Sequence, residues 1–340
     1  MKRLSPFAPL LLLAALLLSP AAALSGAKQG LSLWWGSVFP ALLPSFLCVR
    51  LAQQLGLLRL ANRRPRGQLA VVIGFSLVSG APNGAKLLHA LVQDGSLSPR
   101  EGERLLPLVN HVSPAFLLSI IASELLKDKA LFRPMAAAVY GIILCLLLSE
   151  MLRKKAVTSP AKTRNAEAIP FSEAVSASVE SSMLDMLRIG GCIVFACTLL
   201  AVVQPVVRQE GAYAALAACL EVSTGASALA QLSLPLRTKV SLLTGAAAFG
   251  GLSLGLQTLC CYSKLKLAPY LARKLLLGVL AGGLCYALFP LFPSVSAAFA
   301  SRQEVIERSL SIGALLLSSV LSAAFVGVLS LMVSPKGANP

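Results

Sequence analysis

Apolar runs long enough to cross a bilayer alternate along this chain with short polar or basic connectors. A spanning helix needs about 20 such residues. Leu4–Leu24 has that length; it follows Lys2 and Arg3 and runs into Pro20-Ala21-Ala22-Ala23, so a removable signal peptide is the rival reading. A retained first helix is the expectation. Ala130–Leu152, Ile189–Val207, Leu275–Phe292 and Leu310–Val333 read as plain spans. The amphipathic stretch Phe171–Leu187 leads into the second of these. Trp34 and Trp35 fit an interfacial anchor, with Pro40 and Pro44 bending the segment that enters the bilayer after them.

Four other apolar runs are interrupted. Ser79-Gly80-Ala81-Pro82-Asn83-Gly84-Ala85-Lys86 sits inside Leu69–Val92, and Asn110-His111-Val112-Ser113-Pro114 inside Leu105–Leu126. Glu221-Val222-Ser223-Thr224-Gly225-Ala226 divides Ala212–Leu234, and Phe249-Gly250-Gly251-Leu252-Ser253 divides Val240–Tyr262. Glycine and proline break the backbone ladder. The freed N–H and C=O groups are tolerated at membrane depth only against protein or a water-filled cavity. Re-entrant hairpins at Ser79–Lys86 and Glu221–Ala226, each followed by a broken span, are the prediction. Ser98-Pro99-Arg100-Glu101 carries the signature of a helix start between them.

The order of parts is the same in both halves: bent entry helix, broken hairpin, interrupted span, plain span. Residue identity between the halves is weak. Such an order is the mark of inverted-repeat transporters. With the N-terminus inside and each hairpin returning to its own side, 18 Lys and Arg fall on the cytoplasmic side and 9 outside. That bias supports the arrangement. It counts Lys264–Lys274 as a basic loop and leaves Arg50, Lys86 and Arg188 within apolar segments. The expected organisation is a first helix (1–28), a first repeat (29–155), a cytoplasmic linker (156–170), a second repeat (171–292) and a C-terminal helix with its tail (293–340).

Composition agrees. The chain is 340 residues long, 56% hydrophobic and only 13% charged, with a mean hydropathy of +0.77. A soluble chain carries about a quarter charged residues. These values indicate an all-α polytopic membrane protein, embedded in the lipid bilayer. The formal charge of +16 does not point to nucleic acid, because the basic residues lie in short loops without a binding motif. Eight cysteines and two histidines form no C-x-x-C pair and no metal-ligand spacing, so neither metal nor cofactor is expected. No H-E-x-x-H, G-x-S-x-G or P-loop occurs, so no catalytic residue is assigned and no enzyme is expected. Self-association is left open.

A solute site at the breaks needs groups that replace water. Half-helix N-termini favour anionic groups, while loose carbonyls favour cations and donors. Candidates are Ser79, Asn83 and Lys86 from the first hairpin, with Asn110, His111 and Ser113 from the span after it. The second half offers Glu221, Ser223 and Thr224, then Ser253 and Gln257. Lys86 has three readings: a partner for a carboxylate on the solute, an ion pair with Glu221 that fixes the two hairpins, or, in a kinked spanning helix, an amine that snorkels to the surface. Asp185 and Arg188 are expected to pair along one helical face. His89 and His111 are read as surface or packing residues.

The runs Gly30–Pro44, Ser79–Lys86, Asn110–Phe116, Leu220–Gly225 and Phe249–Gln257 resemble, in the same order, the sporulation integral membrane protein family known as YlbJ-like or SpoVV. Family members carry the gate domain of nucleoside-recognition proteins and are distantly similar to concentrative nucleoside transporters. The resemblance implies a carrier acting in endospore formation that passes dipicolinic acid across the outer forespore membrane. Dipicolinate is a pyridine with two carboxylates, for which a lysine between broken helices is apt. Ala81 and Asn83 depart from the family pattern. Two alternatives stay open: a non-transporting scaffold for spore-envelope assembly, and a carrier of nucleoside-type solutes.

Overall fold

A computed structural model of the chain describes residues 8–56, 67–152, 170–262 and 265–292. The last predicted span, Leu310–Val333, lies outside them, as do the basic stretches at 59–66 and 153–155. The described residues fold into helices, and no strand occurs among them. Five helical stretches are long and apolar enough to cross a membrane: Pro20–Gln54, Lys129–Glu150, Phe171–Val203, Leu236–Cys261 and Leu267–Leu291. The protein is an all-α polytopic membrane protein.

Helix α1 (Ala8–Leu18) stops before Pro20, which opens α2 (Pro20–Leu33) from its first turn. The expected end of the first helix near residue 28 does not occur. α2 runs on through a wide π-helical turn, Trp34–Val38, into α3 (Phe39–Gln54). What continues it is packing. α8 (Phe171–Val203) lies against α2, and side chains at Gly26 and Gly30 would collide with the backbone of Cys197 and Val194. Two small residues four apart allow this close crossing in a membrane, where apolar burial gives helices no reason to associate. Trp34 is buried against Gly190 rather than anchored at the interface; Trp35 is the exposed member of the pair.

The first hairpin joins α4 (Gly67–Ser79) to α5 (Asn83–Gln93). Next, α6 (Pro99–Val109) begins with the anticipated cap. Ser98 N donates to Glu101 Oε2 at 3.0 Å, and Ser98 Oγ accepts from Glu101 N at 3.3 Å. The helix ends at Asn110, and a π-helical segment, Phe116–Leu125, resumes after the break. α7 (Phe132–Leu152) completes this set.

The order recurs after α8. A hairpin of α9 (Glu210–Leu220) and α10 (Val222–Gln231) is followed by α11 (Leu236–Phe249) and α12 (Gly251–Cys261), then by α13 (Leu267–Leu288). Gly250 and Gly251 make the second break with φ of 82° and 75°, a region that side-chain-bearing residues seldom enter. Leu88, Leu106, Leu117, Ile121 and Met135 form part of one apolar core, and Trp34, Phe46, Met186 and Ile193 belong to a second, between α2–α3 and α8. Leu148, Leu187 and Val279 face outward, as lipid-facing positions should.

Two basic residues of the expected loop, Arg273 and Lys274, lie within α13. Lys274, expected in a loop, is inside α13 and 1% exposed.

Candidate solute cavity at the helix breaks

Each hairpin tip docks on a break of the opposite kind of element. At the first tip, Ala81 N donates to His111 O at 2.7 Å, and Gly80 is pressed against the Ser113 backbone. At the second, Gly251 sits against Leu220 and Glu221. Gly84, one turn along α5, is pressed so closely to α6 that a side chain would overlap the Val109 carbonyl.

These contacts draw all four interruptions around one cavity of about 70 Å³. His111, Ser113, Glu221, Ser223, Ser253 and Gln257 supply its polar lining, and Val38, Ile189 and Leu254 contribute to its apolar wall. Pockets for drug-sized ligands run to roughly 300–1,000 Å³. In this conformation the cavity takes a small group or several waters.

Glu221 is the cap of α10. Its carboxylate accepts from Thr224 N at 2.7 Å and from Thr224 Oγ1 at 3.0 Å, with the side chain 2% exposed. A buried carboxylate is favoured there because it meets the free amides and the positive end of the helix dipole. Gln257 Nε2 donates to Ser253 Oγ at 3.3 Å, one turn back on α12.

Of the expected site residues, Ser113, Glu221, Ser223, Ser253 and Gln257 line the cavity, whereas Ser79, Asn83, Lys86, Asn110 and Thr224 do not. Ser79 Oγ donates to its own helix at Phe75 O, 2.8 Å away. Asn83 is buried with its amide unpartnered. Thr224 is held between Glu221 and the Cys197 thiol. Asn110 Nδ2 donates to Thr258 Oγ1 at 2.8 Å and to the Tyr270 hydroxyl at 2.7 Å.

Lys86 pairs with neither a cavity group nor Glu221. Its partner is Asp185 on α8, which Arg50 also contacts at 3.0 Å and Arg188 at 3.4 Å. Asp185 and Arg188 do pair as their spacing suggests, but as part of a larger cluster. Helical spacing along α8 cannot show that α3 and α5 each bring a cation to the same carboxylate.

His111, a candidate from its place in the break but read as a surface or packing residue, lines the cavity. It is 1% exposed and reaches the cavity instead of the surface. Its Nδ1 lies 2.8 Å from Val112 O; a carbonyl only accepts, so Nδ1 carries the hydrogen. That leaves Nε2, buried and without a partner. Its place within a predicted break was the available signal. The Tyr140 ring packs edge-on at 5.5 Å.

Fold and site together define a class: helical membrane proteins whose discontinuous helices meet around a polar cavity. Comparison with known proteins narrows it. The chain is 28% identical over 374 aligned residues to the sporulation integral membrane protein YlbJ of Bacillus subtilis (strain 168), covering 95% of this chain and 89% of that protein. That likeness is to a sporulation membrane protein and runs over nearly the whole of both chains. No family model matches the chain. No solved structure matches it either.

Proposed function

We propose that the protein is a membrane carrier for a small heterocyclic solute, dipicolinate in the sporulating cell, moved across the outer forespore membrane by alternating access at its broken helices. One observation carries this reading: both hairpin tips and both helix breaks meet at a single cavity lined by His111, Ser113, Glu221, Ser223, Ser253 and Gln257. Nothing else in a membrane bundle calls for four interrupted elements at one point, since unbroken helices satisfy their own backbones. The two sets of parts act as inverted gate-type repeats, each hairpin closing the cavity from its own side. The relative's role in sporulation, given by its name, supports the setting.

A second solute reading has its own support. Among the described residues no Lys or Arg lines the cavity, and the carboxylate of Glu221 does. That lining suits an uncharged, nucleoside-type heterocycle better than a dianion. With dipicolinate, the cavity requires a protonated His111 or a protonated solute.

The test is uptake of labelled dipicolinate by purified protein in liposomes, with and without a proton gradient, with unlabelled nucleosides as competitors. Saturable uptake that nucleosides do not reduce supports dipicolinate; strong competition supports the second solute. No flux of either compound removes the carrier reading and leaves a scaffold role in the spore envelope.

A further inference from the structure

The α6 break leaves backbone carbonyls uncovered in the middle of the protein, and donors from other helices join His111 Nδ1 in taking them. Ala81 N takes His111 O at 2.7 Å, and the Tyr140 hydroxyl takes Val112 O at 3.0 Å. Asn110 O is taken by the ammonium of Lys274 at 3.1 Å. Lys274 is 1% exposed, and among the described residues no carboxylate lies within ion-pair distance of it. With Pro107, Val139 and Ile143 it lines a cavity of about 10 Å³, room for roughly one water. Next to it, Asn110 Oδ1 is buried and unpartnered, while Asn110 Nδ2 serves the Thr258 and Tyr270 hydroxyls.

A lysine here is not a packing choice, because methionine fills similar space without burying an amine. The position itself accounts for the residue. α6 ends at this point, so the negative end of its dipole lies by the ammonium, which takes the carbonyl of the cap residue Asn110. In carriers built from discontinuous helices, unwound carbonyls and half-helix C-terminal ends are where a coupling Na⁺ or proton is held. Oxygens of that kind gather around Asn110: its backbone carbonyl, which the ammonium takes, its idle amide oxygen, and the two hydroxyls that its amide nitrogen serves.

We propose that Lys274 is a built-in cation, its ammonium standing at the α6 C-terminus where a free Na⁺ would otherwise be coordinated, so that the protein has no need of sodium. Its bearing on transport rests on the carrier reading; the place of the lysine at the break does not.

Thermal unfolding of the full chain, purified in detergent, separates the two. Wild type, Lys274→Ala and Lys274→Ser are melted in NaCl, KCl and choline chloride at equal ionic strength. Wild type is expected to melt at one temperature in all three salts. Both variants are expected to melt several degrees lower in choline and to recover most of that loss, saturably, as Na⁺ is added. Saturable stabilisation of wild type by Na⁺ overturns the proposal. So do variants that melt alike in all three salts, or that stay unfolded even in high sodium. Failure of dipicolinate uptake with this salt pattern intact sinks the solute reading alone.

Discussion

Asp185 has an outsized part for a single carboxylate. Three basic side chains, Arg50, Lys86 and Arg188, reach it from three helices, and it is 3% exposed. Removing one partner of a buried ion pair costs about 3–5 kcal/mol because the other charge is left without compensation. The two sides of this cluster are unequal. Asp185→Ala strands Lys86 and Arg50 together and should lower stability by the full ~3–5 kcal/mol. Lys86→Met leaves Asp185 with Arg50 and should cost less than half of that, as read by denaturant or thermal unfolding in detergent. An equal loss from both variants contradicts this account. At the second hairpin, Glu221→Ala removes the cap that holds Thr224 N and should cost about 0.5–2 kcal/mol. Glu221→Gln keeps an accepting oxygen and should recover most of it. If uptake falls in both while only the alanine variant loses stability, the carboxylate acts on the solute and not merely on the helix.

At the scale of elements, the interruptions are held by backbone proximity more than by side-chain contacts. Gly84 is where α5 meets α6, against the Val109 carbonyl. Gly84→Ala should therefore lift the hairpin and cost about 1–3 kcal/mol, the range for overpacking a filled site. Gly141, in α7 with open space around it, is the control. Gly141→Ala should be neutral or stabilise by about 0.5–1 kcal/mol through lower chain entropy. Matching melting temperatures for the two variants remove the docking argument. The breaks themselves were legible in the sequence, since Gly250-Gly251 and Asn110–Pro114 cannot continue a helix in apolar surroundings. The Ser98–Glu101 cap was legible for the same local reason. The unbroken course of α2 into α3 was not: it depends on Gly26 and Gly30 meeting α8, about 170 positions away.

For the molecule as a whole, the arrangement predicts where water goes. In a background without the eight native cysteines, Ser113→Cys and Ser223→Cys should react with a water-soluble thiol reagent and be shielded by bound solute. Leu148→Cys, on an outward face, should stay unreactive in the bilayer. Equal labelling of all three contradicts the shared cavity. Two cavity residues and three site candidates that moved away from it illustrate the division. Ser113 and Glu221 sit at the interruptions and were found by that fact alone, while Asn83, Lys86 and Asn110 sit equally near an interruption and turn elsewhere. The alternation of apolar and broken stretches determined, from sequence alone, a helical membrane protein with interrupted elements. Hydropathy and backbone breaking are properties of consecutive residues, so a linear reading captures them. Only the tertiary structure decided that Lys86 belongs to Asp185, that Lys274 caps the α6 break, and that His111 faces the cavity. The two lysines depend on a charge or a carbonyl brought in by a helix distant along the chain. The cavity that His111 faces exists only where the breaks of both halves meet, so a buried polar group takes whichever surroundings the packing delivers.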